Sequence, residues 1–161
     1  MLKKILLTII VSTLTVPTLL SAHCEIPCGI YADKMRIDMI NEHITTIEKS
    51  MKRIVKLESS PTVNYNQLVR WVNNKDLHAN HLQDIVTQYF MTQRVKLVDS
   101  NDKKALEEYQ TELALLHTML IYAMKTKQTT DLEYCNKLRE AVNKFYDVYF
   151  TEEEKSHHHK N

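Results

Sequence analysis

Glycine occurs once in this chain of 161 residues, and proline only at positions 17, 27 and 61. Strands and tight turns take their punctuation from those two residues, so a chain without either from Thr62 to its end reads as long helices. The periodicity agrees. Ile37, Ile40, Ile44, Ile47, Met51 and Ile54 recur at alternating spacings of three and four, the stripe of a helix from about Asp33 to Leu57. Ser59-Ser60-Pro61-Thr62 breaks it, and Asn64 is the expected N-cap of a second helix carrying Leu68, Val72, Leu82, Ile85 and Tyr89 onward to about Leu97. After the loop Ser100-Asn101-Asp102, a third helix presents Leu106, Tyr109, Leu113, Leu116 and Leu120 and fades between Thr126 and Thr130. Thr130 and Glu133 have the spacing of a capping box, opening a fourth helix on which Leu138, Val142, Phe145 and Tyr149 continue the pattern to about Glu153. Four helices of similar length on short loops predict an all-α, antiparallel four-helix bundle.

The N-terminus has a different character. Lys3 and Lys4 precede the apolar run Ile5 to Leu20, and Ser21-Ala22 leads into polar chain, the layout of a secretory signal peptide cut after Ala22. The run is short for a bilayer span and is interrupted by Pro17 and threonines, against a retained anchor. The expected divisions are a leader at 1–22, an N-terminal hook at 23–31, the bundle at 32–155 and a flexible tail at 156–161. Export to the periplasm or the medium follows, with no membrane association after cleavage. Loss of Lys3 and Lys4 takes the formal charge from +1 to −1. Such a balance, without a basic stripe, excludes a nucleic-acid partner. The length fits one domain with a core of its own.

Three cysteines in an exported chain do not make a simple disulfide framework. Cys135 falls in a helical pattern and reads as a buried thiol. Cys24 and Cys28 lie four apart in His23-Cys24-Glu25-Ile26-Pro27-Cys28-Gly29-Ile30-Tyr31, at the new terminus that cleavage creates. They could close a small disulfide loop. They could also hold a metal, because a freed His23 α-amine and the Cys24 backbone nitrogen close a five-membered chelate ring. The same nitrogen and the Cys24 sulfur close a second. Cys28 can return to the fourth in-plane position if residues 25–27 turn tightly, and the sole glycine, Gly29, allows close backbone approach beside it. The His23 imidazole, on a larger ring, suits an axial position. A square-planar nitrogen and sulfur set points to Ni(II) or Cu(II) rather than to tetrahedral zinc. Two thiolates and an amide nitrogen donate strongly enough to bring a Ni(II)/Ni(III) couple within reach of superoxide.

The pattern His-Cys-x-x-Pro-Cys-Gly-x-Tyr ahead of an almost wholly helical domain resembles nickel superoxide dismutase. The resemblance covers the hook closely and the rest of the chain by architecture. It implies a nickel ion as cofactor, a homohexamer of four-helix bundles, and disproportionation of superoxide to dioxygen and hydrogen peroxide. It implies as ligands the amine and imidazole of His23, the backbone nitrogen and thiolate of Cys24, and the thiolate of Cys28. Tyr31 matches the tyrosine that orders small molecules near the metal, and Tyr89, in Gln88-Tyr89-Phe90, matches a second one. Arg36-Ile37-Asp38 resembles the family's Arg-Ile-Glu once one residue is deleted, which implies Asp38 as the carboxylate behind the His23 imidazole. The family's supporting arginine has no clear counterpart around Trp71 to His81, and a signal peptide here would replace the family's short propeptide.

Other side chains are explained more simply. His78 and His81, three apart on the second helix, have no acidic or cysteine partner in view, and His157 to His159 would bind metals only adventitiously. Trp71 reads as a packing anchor. The competing function is an exported helical metal-binding protein without enzymatic activity, its Cys24 and Cys28 joined in a disulfide.

Overall fold

The computed structural model describes residues 31–158, without the side chains of 157 and 158. The leader and hook residues His23, Cys24 and Cys28 lie outside the described residues. The described chain is all-α: α1 (Asp33–Glu58), α2 (Tyr65–Asp84) running directly into a π-helical segment (Ile85–Arg94), α3 (Lys103–Gln128), α4 (Glu133–Tyr149) and a short α5 (Glu152–His158). Each of the four long helices packs on its neighbour in sequence, and α1 closes the ring against α4. With short connections, that adjacency makes the bundle antiparallel. No described helix is long and apolar enough to cross a membrane.

Ile40, Ile44, Ile47 and Met51 of α1 are wholly buried, with Ile37 and Ile54 nearly so, and they meet Leu82, Val86, Phe90, Leu116, Met119, Leu138 and Phe145 in one core. Burial of each such side chain stabilises the fold by about 1.5 to 3 kcal/mol. Asn64 caps α2 as expected, its side-chain oxygen accepting from the Gln67 amide at 3.1 Å. The inward stripe of α2 is Lys75, Ala79 and Leu82, however, and Val72 faces out at 36 % exposure. The reason for a lysine inside is local. Lys75 Nζ donates to the carbonyls of Thr126 and Lys127 at 2.7 Å each, supplying the end of α3 with donors that its last turn lacks.

Three other expectations shift. The second helix does not run on to Leu97 as an α-helix. From Ile85 its turns widen, with Val95 N–H donating to the Phe90 carbonyl, Thr92 Oγ1 to that of Thr87 and Gln93 Nε2 to that of Gln88, each five residues back. At α4 the Thr130 and Glu133 box does not form, and Asp131 accepts from the Glu133 amide instead. A reciprocal box appears one element later: Thr151 Oγ1 accepts from Glu154 N–H, and Glu154 Oε2 accepts from Thr151 N–H. It starts α5, so residues 156–158, expected as tail, continue a helix.

Candidate metal centre and its scaffold

The described chain begins three residues after Cys28, and its first three residues are tied to the bundle at once. Asp33 opens α1 and turns its carboxylate towards the π-helical segment and the end of α4. Arg94 grips both oxygens, with Nε at 2.9 Å from Oδ1 and Nη2 at 2.7 Å from Oδ2. Tyr89 donates its hydroxyl to Oδ1 at 2.5 Å, and Tyr149 donates to Oδ2 at 2.8 Å. The Tyr89 oxygen in turn accepts from the Ala32 backbone N–H at 2.9 Å. The Tyr31 ring lies over the Arg94 guanidinium at 4.3 Å and meets the Tyr89 ring edge to face, with centroids 6.0 Å apart.

The wide turns explain how Arg94 reaches this cluster. Five residues advance an α-helix by about 500°, which would leave residues 89 and 94 roughly 140° apart around the axis. A π-turn rotates less per residue and so narrows that angle, and both Tyr89 and Arg94 reach Asp33. Tyr149 arrives from α4, two helices away in sequence, and is held by Phe90 and Phe145 on its ring.

The electrostatics follow from this geometry. Burial alone would raise the Asp33 carboxyl, but hydrogen bonds from Arg94, Tyr89 and Tyr149 outweigh it and hold the group below its ordinary value, as a carboxylate. Burial, and then the bond to Asp33, push the Tyr89 phenol up to about 12, and the same two causes push Tyr149 up as well. Both tyrosines therefore stay protonated, with their protons directed at Asp33.

The two tyrosines implied by the resemblance are thus brought together, but in different states. Tyr89 is 3 % exposed and committed on both sides of its oxygen, whereas Tyr31 is 40 % exposed and its hydroxyl makes no hydrogen bond to another described residue. Asp38 is not brought to them: it sits on the outer face of α1 with over half its side chain exposed, paired with Lys34 one turn back. The carboxylate at the cluster is Asp33, and the arginine facing it is Arg94. Sequence reasoning passed over both. Asp33 was legible as the acid closest after the hook, whereas nothing in an α-helical reading puts Arg94 beside Tyr89.

The fit of this chain to nickel is a matter of the donors within residues 23–28. A chain beginning at His23 would offer an amine, an amide nitrogen, two thiols and an imidazole within residues 23–28, donors of the kind that suit Ni(II). Beside the cluster, Arg36 stacks over the Tyr89 ring at 4.9 Å, with its Nε buried and without a partner among the described residues. Other possible ligands are poorly suited. Cys135 is wholly buried against Met51, and burial, helped by the Glu48 charge, pushes its thiol up to about 11. His43 joins His78 and His81, with the Nδ1 atoms of His43 and His78 at 2.9 Å, but among the described residues no three His, Cys, Asp or Glu side chains form a group able to hold a metal ion. A concavity of about 440 Å³ runs along the outer face of α1 between Thr45 and Lys56 and shares no residue with the cluster.

Comparison with curated proteins and with solved structures gave no match. The model of one family, nickel-containing superoxide dismutase, does match, over residues 18–153, a span that takes in the hook, the four long helices and every residue of the Asp33 cluster. On a match of that extent, the chain belongs to the nickel-containing superoxide dismutase family.

Proposed function

We propose that the nickel superoxide dismutase activity of this chain resides in the hook 23–31, with nickel held by the His23 amine and imidazole, the Cys24 amide nitrogen and thiolate, and the Cys28 thiolate. The observation that carries this reading is the anchoring of Tyr31, the last residue of the hook, and of Ala32 and Asp33 directly after it, to two separate helical segments of the bundle. Bound in that donor set, nickel supplies the one-electron couple by which two superoxide ions and two protons become dioxygen and hydrogen peroxide. The chain's own residues do the rest. Tyr31, half in solvent beside the ligands, orders superoxide and water at the approach to the site. Tyr89 holds the backbone at Ala32 and keeps its own proton, which it donates in a hydrogen bond to Asp33. Arg94 stays charged, since its hydrogen bonds to Asp33 raise it further, and its charge is balanced within the cluster.

The same reading includes export, with the leader 1–22 removed to free the His23 amine, and assembly into a homohexamer in which neighbouring bundles cover the hooks. Two measurements test it. Intact mass of the native protein should show a chain starting at His23, and light scattering should give a mass near six chains. The decisive experiment compares nickel content and dismutase rate of that chain with one carrying an extra Ala before His23. The added residue turns the amine into an amide and breaks one chelate ring, so nickel and activity should both be lost while helicity stays. An extended chain as fast as the native one would remove the amine from the ligand set and end the proposal.

A further inference from the structure

We infer that Asp33, clamped by Arg94 and Tyr149, is a positioning residue that locks the base of the metal hook to the bundle, and that the π-helical segment Ile85–Arg94 is the device that completes the clamp. The inference rests on the hook reading above and gives it a mechanical basis.

The hook, as proposed, ends at Tyr31, so the point at which it leaves the bundle is set by how Tyr31 and the two residues after it are held. Hydrogen bonds to Ala32 and Asp33 and a ring contact at Tyr31 do the holding, on three consecutive residues. Ala32 N–H is bound by Tyr89, the Asp33 carboxylate by Tyr89, Tyr149 and both nitrogens of the Arg94 fork, and the Tyr31 ring by stacking on that same guanidinium. The chain is therefore constrained in backbone, side chain and ring orientation within one short stretch. A bidentate arginine is suited to this because its planar fork fixes direction as well as distance.

The alternative is an ordinary stabilising ion pair at a helix start. Two features speak for positioning. First, the ion pair contains the site's own tyrosines: Tyr89 accepts from the hook-side backbone with the oxygen whose proton Asp33 takes, so disturbing Asp33 reorients Tyr89. Second, the chain leaves α geometry directly after α2, over Ile85–Arg94, and the wider turns narrow the angle between Tyr89 and Arg94 so that both reach Asp33. π-turns are less favourable than α-turns and concentrate at functional sites. Asp33 and Arg94 hold the ligand-bearing segment without themselves being ligands, the role that outer partners play around metal sites, where their loss commonly weakens metal binding about 10-fold to 100-fold.

The test uses the mature chain, both metal-free and nickel-loaded, with Asp33→Asn, Arg94→Met and the milder Tyr149→Phe, which keeps the ring and loses one hydrogen bond. Arg139→Met serves as the control, since it removes the other cross-bundle arginine pair, to Glu48, outside the cluster. In the metal-free chain, amide hydrogen exchange at Ala32 should quicken at least tenfold in Asp33→Asn and Arg94→Met, less in Tyr149→Phe, and not in Arg139→Met. In the loaded chain, the half-life of nickel against excess chelator should shorten in the same order, by at least fivefold in the first two, with Arg94→Lys intermediate. Unchanged Ala32 exchange in Asp33→Asn and Arg94→Met would overturn the lock directly. Faster exchange with nickel retained as in the parent would show a clamp that does not serve the hook, and would overturn the proposal as well. A parent chain that fails to retain nickel would instead refute the hook reading, while the exchange data still decide whether the lock exists. Should Asp33→Asn not fold, Tyr149→Phe carries both measurements.

Discussion

Replacing Asp33 by Asn tests the energetics of the cluster apart from its chemistry. Asn is nearly the same shape, but one carboxylate oxygen becomes an NH2. If the amide oxygen stays at the Oδ1 position, it still accepts from Tyr89 and Arg94 Nε, while the NH2 now faces two donors, Arg94 Nη2 and the Tyr149 hydroxyl. Flipping the amide moves the conflict to the other side. Hydrogen bonds to a charged group contribute about 1.5 to 3 kcal/mol each, and breaking a buried ion pair costs about 3 to 5 kcal/mol. Arg94 keeps a quarter of its side chain in solvent and can rehydrate, which lowers the figure. The expected loss is about 2 to 3 kcal/mol, or a midpoint lower by roughly 6 to 12 °C. Urea unfolding of the metal-free chains, followed by circular dichroism at equal concentration, measures it. The pH dependence has a definite sign. The Asp33 carboxyl sits below its unfolded value of about 3.9, so its contribution is complete above that pH and is lost as pH falls through the lower folded value. The gap between parent and variant should hold from pH 7 to about 5 and narrow below about 4. A gap under about 0.5 kcal/mol at pH 7, or one that stays constant to pH 3, would refute the argument.

Asp38→Asn should change nickel-dependent activity less than twofold, because its partner is the exposed Lys34 and not the cluster; a tenfold loss in steady-state assays would restore Asp38 to the site. Cys24→Ser and Cys28→Ser should abolish activity and nickel retention with helicity intact, whereas Cys135→Ser should keep activity and lower stability by about 1 to 2 kcal/mol, since it leaves a hydroxyl in an apolar, wholly buried position. His43 and His78 are both held below their ordinary value by burial and then by neighbouring histidines, so the unfolded chain binds their protons first and stability should fall as pH drops below about 6.5. His78→Gln should flatten that slope in denaturant titrations between pH 7 and 5, and an unchanged slope would place the titrating group elsewhere.

What could be read from the chain alone was whatever depends on neighbours in sequence. The limits of α1 follow from the isoleucine stripe and the break at Ser59 to Thr62, and the Asn64 cap from one side chain and an amide three residues on. The proposed metal hook belongs to the same class, because the chelate rings it would form involve adjacent atoms of one segment, and thiols and an imidazole keep their chemistry wherever the bundle lies. The family followed from that segment for the same reason. The scaffold under the hook was not legible in this way. Asp33, Tyr89, Arg94 and Tyr149 come from the first residue of α1, the π-helical segment and the last residue of α4, and only packing brings them within 3 Å of one carboxylate. An α-helical period assigns Arg94 to the wrong side of its helix, and a motif comparison passes over Asp33, since neither method carries distances between helices. Lys75 makes the same point in the core: its charge reads as surface, and it is buried because the last carbonyls of α3 arrive above it. Local bonding decides which donors the segment 23–28 can offer, and the helix ends that meet around Asp33 decide where the residues from Tyr31 to Asp33 are held.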